Sequence, residues 1–171
     1  MAAGSTYTPI ATTTLGSDSN TVGFSTISGS YTDLIIVCNI KSASNGMELY
    51  MRLNSDTGTN YSRTILTGNG TSATSARSTS ATSMRLAYET TGTDIGNWST
   101  LLIHLMNYSN STTYKTVLCR AGDAAKEVTA NVGLWRSTSA ITDISISGVN
   151  SFNAPYLGAG STFTLYGITA A

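Results

Sequence analysis

Charge is scarce in this chain. Only 11% of its 171 residues are Asp, Glu, Lys or Arg, and nine basic side chains balance nine acidic ones. That charged fraction is about half of ordinary usage. Proteins that bind nucleic acid or anionic membranes carry basic patches, and this composition provides no such electrostatic footprint. A weakly charged surface instead favours self-association.

Histidine and cysteine are also rare, with one His104 and two cysteines, Cys38 and Cys119. A catalytic triad or a histidine-rich metal site needs more partners than one histidine offers. His104 lies among apolar residues in the middle of a predicted strand, which favours a packed or interface histidine over a catalytic one. The cysteines are too few for a disulfide scaffold, and we expect two buried thiols. A Cys38–Cys119 disulfide would require neighbouring strands, which the sequence does not decide.

Other functional signals are missing as well. No apolar run reaches the length of a membrane-spanning helix, no phosphate-binding glycine loop is present, and no local motif marks a glycosidase pair among the carboxylates. Residues 54–60 (NSDTGTN) carry oxygen ligands at alternate positions, a pattern that could hold calcium. The favoured interpretation is a plain turn, with Asp56 capping backbone amides and Gly58 at positive φ. We therefore predict no enzyme activity, no cofactor, and no catalytic or metal-binding residue.

What the chain does contain is Ser and Thr, nearly a third of all residues, and an alternation of apolar and polar residues with period two. Thr favours strands, and period two is typical of a strand with one buried face. Many short strands separated by turn signals predict an all-β, jelly-roll-like antiparallel β-sandwich with a single domain. The predicted strands cover residues 10–15, 22–27, 34–40, 47–53, 61–66, 84–88, 98–108, 113–120, 128–135, 141–147 and 162–168.

Three segments fall outside this pattern. Residues 1–9, which end at Pro9, are predicted to form a flexible N-terminal arm before a β-sandwich domain of residues 10–171. Residues 68–81 are small, polar and low in complexity, which predicts a mobile loop or a loop that orders against a neighbouring subunit. Residues 121–127 are the nearest candidate for a helix, of one or two turns at most.

Two predicted strands are apolar on both faces. In residues 34–40 and 98–108 the two alternating sets of side chains are both apolar, which is typical of a central strand or of one that meets a partner chain. We predict a homo-oligomer on this basis. The predicted interface residues are Leu102, His104 and Met106, together with Met1, Thr6, Tyr7 and Pro9 of the arm.

Four stretches of the sequence resemble a group of β-rich virion proteins of tailed bacteriophages. They are residues 28–34 (SGSYTDL), 53–61 (LNSDTGTNY), 135–142 (WRSTSAIT) and 160–168 (GSTFTLYGI). The resemblance runs over most of the chain from Thr26 onward. It implies a jelly-roll-like subunit, often trimeric, and it transfers no catalytic residue.

The resemblance leaves two functions open. The first is a capsid decoration, or cement, protein on the outer surface of the virion, whose partners are the major capsid protein and its own copies in a homotrimer. The second is a tail-fibre or tail-associated protein that binds a receptor or a carbohydrate. The absence of coiled-coil heptads and of shaft repeats favours the first. Neither function requires nucleic acid or a membrane as a partner.

Overall fold

The computed structural model describes residues 6–44, 46–87, 98–123, 126–149 and 156–169. All regular secondary structure among these residues is β, as the period-two alternation predicts. The described strands are β1 (Tyr7–Thr14), β2 (Thr21–Phe24), β3 (Asp33–Lys41), β4 (Glu48–Leu53), β5 (Tyr61–Gly68), β6 (Ala73–Ala81), β7 (Met84–Ala87), β8 (Trp98–Leu105), β9 (Lys115–Asp123), β10 (Glu127–Trp135), β11 (Ile144–Val149) and β12 (Thr162–Ile168).

The strands form two antiparallel sheets that pack as a jelly-roll-like sandwich. The larger sheet has eight strands in the order β1-β12-β3-β8-β9-β10-β5-β6, and the smaller has four in the order β2-β11-β4-β7. At one side of the sandwich, β7 of the smaller sheet lies against β5, β9 and β10 of the larger one. The predicted fold class is therefore confirmed.

The core lies between the two sheets and is built by alternate residues of each strand. In β3, Leu34, Ile36, Cys38 and Ile40 are completely buried. Each Leu or Ile buried in this way contributes about 1.5–3 kcal/mol, which makes the inward set of side chains the main source of stability. The two strands that are apolar on both faces, β3 and β8, are central strands of the larger sheet.

The predicted N-terminal arm is wrong for residues 7–9, which belong to β1. Tyr7 pairs with Ile168 and Pro9 pairs with Tyr166 of β12, and the Thr169 N–H donates to the Thr6 carbonyl at 3.3 Å. Proline lacks a backbone N–H, but β1 is an edge strand and its register shifts just after Pro9, so the strand tolerates it. Residues 1–5, with the predicted interface residue Met1, lie outside the described residues.

The predicted loop at residues 68–81 is also wrong, because most of it is β6, an edge strand. Asn69 begins the turn that joins β5 to β6, and its Oδ1 accepts the N–H groups of Thr71 and Ser72. Gly70 adopts a φ of +84°, which glycine allows at little cost. The segment has almost no apolar residue to bury, so its order comes from the backbone ladder with β5.

The helix candidate at residues 121–127 is wrong as well. Ala121, Gly122 and Asp123 end β9 and Glu127 begins β10, so the segment is the bend of a β-hairpin. Residues 124 and 125 lie outside the described residues. Cross-strand hydrogen bonds between β9 and β10 satisfy the backbone of the segment, and they outweigh the local helical propensity of its alanines.

Both cysteines are free and buried, as predicted. Cys38 lies in β3 and Cys119 in β9, with β8 between them, so the two strands are not neighbours. Burial raises the pKa of both thiols, that of Cys119 to about 12. Protonated, buried thiols are poor nucleophiles.

We therefore expect neither thiol to react with an aromatic disulfide reagent in the native protein at neutral pH. Both should react once the chain is unfolded in denaturant. Absorbance of the released thiolate measures the number of reactive groups. Rapid stoichiometric reaction in the native state would contradict the burial of these side chains.

Candidate interaction surface

The outward face of the larger sheet brings apolar residues from five adjacent strands into register. One row runs across β3, β8, β9, β10 and β5 through direct cross-strand partners. It consists of Val37, Leu102, Arg120, Ala130 and Leu66. Because directly paired residues of an antiparallel sheet point to the same side, all five share the outward face.

A second row lies two residues away on the same strands and contains Ile35, His104, Leu118, Val132 and Thr64. Leu66, Val128 and Val132 have 55%, 63% and 50% of their surface exposed, and Val37, Leu102 and Leu118 are a little over one-third exposed. We call the following set the outer apolar face: Val37, Leu66, Leu102, Leu118, Val128 and Val132.

The size of this face can be estimated from sheet geometry. Five strands about 4.8 Å apart and two rows about 7 Å apart cover about 340 Å², and Arg120, His104 and Thr64 occupy three of the ten positions. That area lies in the lower part of the range of about 300–600 Å² for the largest apolar patch on a monomeric protein, a patch that often serves a function. A specific interface buries about 800 Å² on each partner, with an apolar centre and a polar rim. The outer apolar face is smaller than a whole interface of this kind and corresponds to part of its apolar centre.

One polar group within the face is held in place by a carboxylate. His104 is paired with Ile35 and Leu118, and its Nε2 lies 3.1 Å from Oδ2 of Asp33. The other oxygen of Asp33 accepts the backbone N–H of Asn107 at 2.6 Å. This arrangement fixes the imidazole at the surface of the sheet.

The predicted interface residues fall in two places. Leu102 and His104 lie at the centre of the outward face, and Met106 follows the end of β8 and is half-buried. Thr6, Tyr7 and Pro9 lie at the β1 edge of the same sheet, where Tyr7 packs edge-on against Tyr166 with ring centroids 6.4 Å apart. Their contact with another chain stays a prediction.

Sequence reasoning missed four members of the outer apolar face. Leu66, Leu118, Val128 and Val132 each sit in a strand that reads as an ordinary alternating segment. Only the pairing of β9, β10 and β5 next to β8 brings them together. A signal for this face was present in the sequence. Each strand has an apolar residue at a position that alternation assigns to the outward side, such as Val132 between Asn131 and Gly133.

The loop at residues 54–60 forms a hydrogen-bonded turn around one carboxylate. Oδ1 of Asp56 accepts the Gly58 N–H at 2.7 Å. Oδ2 accepts Nδ2 of Asn60 at 2.8 Å and Nε1 of the buried Trp135 at 2.7 Å. Trp135 also stacks on Tyr61, whose hydroxyl accepts the Leu53 N–H. The capping role predicted for Asp56 is confirmed, and its oxygens are engaged by N–H donors.

The positive φ predicted for Gly58 is wrong. Positive φ angles occur instead at Asn54 (51°) and Ser55 (54°), and Oδ1 of Asn54 accepts the N–H groups of Thr142 and Asp143. A larger residue at position 58 would displace the side chains that form the Asp56 turn. A Cβ there would lie 2.8 Å from Nδ2 of Asn60 and 3.0 Å from the Asp56 carboxylate.

The hydrogen bond from Trp135, followed by those from Asn60 and Gly58, lowers the pKa of Asp56 below its ordinary value of 3.8. A depressed folded-state pKa stabilises the native state above the unfolded pKa, and this stabilisation disappears as pH falls through the folded value. Below about pH 4, we expect the thermal midpoint of the wild-type protein to decrease more steeply with falling pH than that of Asp56→Asn, which has no titrating group at position 56. Scans of both proteins across this range check the result, and parallel curves would contradict it.

Within the part of the chain that the structure describes, no three His, Cys, Asp or Glu side chains converge as a metal site. The same residues include no helix long and apolar enough to cross a membrane.

No protein-family model and no curated protein matches the chain. Among solved structures, galectin LEC-6 of Caenorhabditis elegans is similar at 7% identity and a TM-score of 0.38, over 90% of this chain and 94% of the galectin. Alginate lyase Aly36B is similar at 9% identity and a TM-score of 0.36, over 92% of this chain and 77% of the lyase.

The tail fibre protein gp63.1 of an E. coli phage is similar at 11% identity and a TM-score of 0.30. That likeness covers 82% of this chain but only 16% of the fibre protein. At such identities and scores, these likenesses concern the β-sandwich fold and carry no argument about activity or ligand.

Proposed function

We propose that this chain is a non-catalytic structural subunit of a tailed-bacteriophage particle that decorates the outer surface of the head. The observation that carries the proposal is the outer apolar face, in which exposed apolar side chains of five adjacent strands are neighbours on one side of the larger sheet. A second copy of the chain is its proposed occupant. Arg120 is the one permanently charged residue in its two rows, and the long side chain of arginine allows the guanidinium to lie at the rim of a contact between copies.

In a homotrimer, three copies would place their outer apolar faces around the threefold axis. The polar residues around each face would then form the rim that specific interfaces require. The remaining surface of the trimer would be available to the major capsid protein. The sequence resemblance to trimeric virion proteins supports this arrangement.

A subunit of this kind stabilises a shell by mass action. A ligand that binds the assembled capsid and not its separated subunits shifts the equilibrium toward assembly. Each contact need supply only a few kcal/mol, since a trimer engages several capsid subunits at once and its contacts are multivalent. No bond is made or broken in this function.

The test compares phage particles that carry the protein with particles that lack it. We expect the decorated particles to survive heating or osmotic shock that releases DNA from the others. Electron microscopy with a labelled chain locates the protein at the same time. Equal resistance of the two particle types would overturn head stabilisation, and label confined to the tail would favour the receptor- or carbohydrate-binding alternative.

A further inference from the structure

Strand β10 has the reverse of the alternation that a sandwich strand normally shows. Its polar residues Glu127, Thr129 and Asn131 point inward and are buried, whereas Val128 and Val132 point outward and are exposed. The register is fixed along the whole strand by its pairing with β9 and β5, so the polar and apolar sets cannot exchange sides. Buried polar groups cost free energy unless they find hydrogen-bonding partners. Each of the three inward side chains therefore requires a partner inside the sandwich.

Two of these side chains have partners, and the third does not. Oγ1 of Thr129 donates to the Ala121 carbonyl at 3.5 Å. Nδ2 of Asn131 donates to the Arg85 carbonyl. Glu127 is only 8% exposed and its Oε1 is buried, but no hydrogen bond or ion pair engages its carboxylate among the residues that the structure describes. The fold thus holds a carboxylate inside the sandwich without a partner.

Glu127 lines a cavity of about 350 Å³ that it shares with the β5–β6 hairpin. This volume lies within the range of about 300–1,000 Å³ that is typical of small-ligand sites. Hydroxyl groups from β5, from β6 and from the turn between them make up most of the polar lining. We call it the hydroxyl cavity and define it by Ile65, Thr67, Ser72, Thr74 and Glu127.

Strand pairing places this lining on the inward side of the larger sheet. Thr67 pairs with Thr129 on one side and with Thr74 on the other, and directly paired residues point to the same face. Ile65 pairs with Asn131 and is buried, so it forms an apolar part of the floor. Thr74 is exposed, which leaves the cavity open to solvent. The outer apolar face lies on the opposite side of the same strands, so association through that face leaves the cavity accessible.

The cavity is next to an excess of negative charge. Asp123 pairs directly with Glu127 across β9 and β10, so two buried carboxylates lie side by side. Like charges at directly opposed positions of a sheet are destabilising. Lys126, in the bend of the same hairpin, supplies one positive charge beside them. The three side chains together leave a local charge of about −1 by Coulomb counting.

We propose that the hydroxyl cavity binds an amino sugar, with the ammonium group of the sugar held by Glu127. An ammonium presents three N–H donors, and its hydrogen bonds to a carboxylate are strengthened by the opposite charges. The hydroxyls of Thr67, Ser72 and Thr74 both donate and accept, as sugar hydroxyls do, so the remaining lining suits a polyhydroxylated ring. The proposal goes beyond the structural role above and does not depend on it.

The lining favours an ammonium group on a sugar over two other cations. A calcium ion takes about six to eight oxygen ligands, several of them from carboxylates. Among the described residues no three His, Cys, Asp or Glu side chains converge at the cavity, so a metal ion would have too few charged ligands. A lysine side chain of another protein has the ammonium but no hydroxyls, and it would leave the hydroxyl lining without partners.

NMR titration of the full chain with methyl glucosaminide, at about pH 6 where the sugar amine is protonated, tests the proposal. We expect the amide signals of Thr67, Thr74 and Glu127 to shift saturably in the wild-type protein, which requires no variant to fold. Glu127→Gln keeps the shape of the side chain and removes its charge, so it should bind at least about tenfold more weakly. The matched control is Asp143→Asn, which removes a half-buried carboxylate just before β11, away from the cavity. Its affinity should stay within about twofold of the wild type.

A measurement of stability separates a binding role of Glu127 from a structural one. A buried carboxylate without a partner destabilises the ligand-free fold, so we expect Glu127→Gln to unfold at the same urea concentration as the wild type or at a higher one. Thr74→Val, at an exposed position of β6, removes one hydroxyl and should weaken binding about threefold.

Three comparison ligands separate the sources of binding. Methyl N-acetylglucosaminide keeps the ring and its hydroxyls but has no ammonium. Acetyl-lysine methylamide supplies the ammonium without the ring, and calcium chloride supplies a cation alone. We expect each of them to bind at least about tenfold more weakly than methyl glucosaminide.

Several results would overturn the proposal. They are the absence of a saturable shift in the wild-type protein, unchanged affinity of Glu127→Gln, an equal loss for Glu127→Gln and Asp143→Asn, marked destabilisation of Glu127→Gln, or equal binding of any comparison ligand. None of these results bears on whether the protein stabilises phage heads, so the two proposals fail separately.

Discussion

Replacing Val132 with glutamate is expected to dissociate the oligomer. Val132 is half-exposed in the single chain, so a polar residue there costs the fold little. In an interface formed by the outer apolar face, the same glutamate would lose its hydration, and Arg120 on the next strand would not offset that loss in full, so the cost is about 2 kcal/mol, which raises the dissociation constant about thirtyfold. Sedimentation velocity across the micromolar range measures this change.

Leu66→Glu is a second variant on the same face, at a site that is 55% exposed. The control is Thr21→Glu, which adds the same charge at an exposed position of β2 in the smaller sheet. We expect Leu66→Glu to dissociate the oligomer and Thr21→Glu to leave it intact, while circular dichroism shows native β structure for all three. A wild-type protein that is monomeric throughout, or glutamate variants that associate as the wild type does, would refute the interface.

Asp56→Ala is expected to lower the free energy of unfolding by about 3 kcal/mol. The substitution removes the acceptor of three N–H groups, and one of them belongs to Trp135, which is 2% exposed. Hydrogen bonds to a charged group contribute about 1.5–3 kcal/mol, and a buried donor left without an acceptor adds a desolvation penalty. Urea unfolding followed by tryptophan fluorescence measures the difference.

Asp18→Ala provides the matched control, because Oδ1 of Asp18 accepts one backbone N–H, from Ala159 at 2.8 Å. We expect that variant to lose only about 1 kcal/mol. Combining Asp56→Ala with Trp135→Phe should cost less than the sum of the single changes, since both remove the same hydrogen bond. Equal losses for the two aspartate variants, or strict additivity in the double variant, would show that the Asp56–Trp135 bond contributes little.

Local pattern was sufficient for most of the fold. The alternation in residues 162–168 marks β12 at both of its ends, and the two apolar sets of residues 34–40 identify β3 as a central strand. The capping role of Asp56 also follows from its neighbours, because an aspartate two residues before a glycine can reach the backbone of its own turn.

Local pattern failed where order comes from a neighbouring strand. Residues 73–81 have almost no apolar residue, so nothing in them indicates a strand, but β5 supplies the backbone hydrogen bonds that make β6. The same holds for Tyr7 to Pro9, which form a strand by pairing with β12, and for the hairpin at residues 121–127. In each case the partner is a strand whose pairing the segment itself does not encode.

The sequence by itself determined the fold class, the low surface charge and the outward apolar residues of individual strands. The tertiary structure decided which of those residues are neighbours. Leu66, Leu118 and Val132 form one face with Leu102 only because β5, β9 and β10 line up beside β8. Arg63 and Arg85 line one cleft only because β5 of the larger sheet lies beside β7 of the smaller one. Alternation is a property of adjacent residues, whereas strand order depends on contacts between residues far apart in the chain.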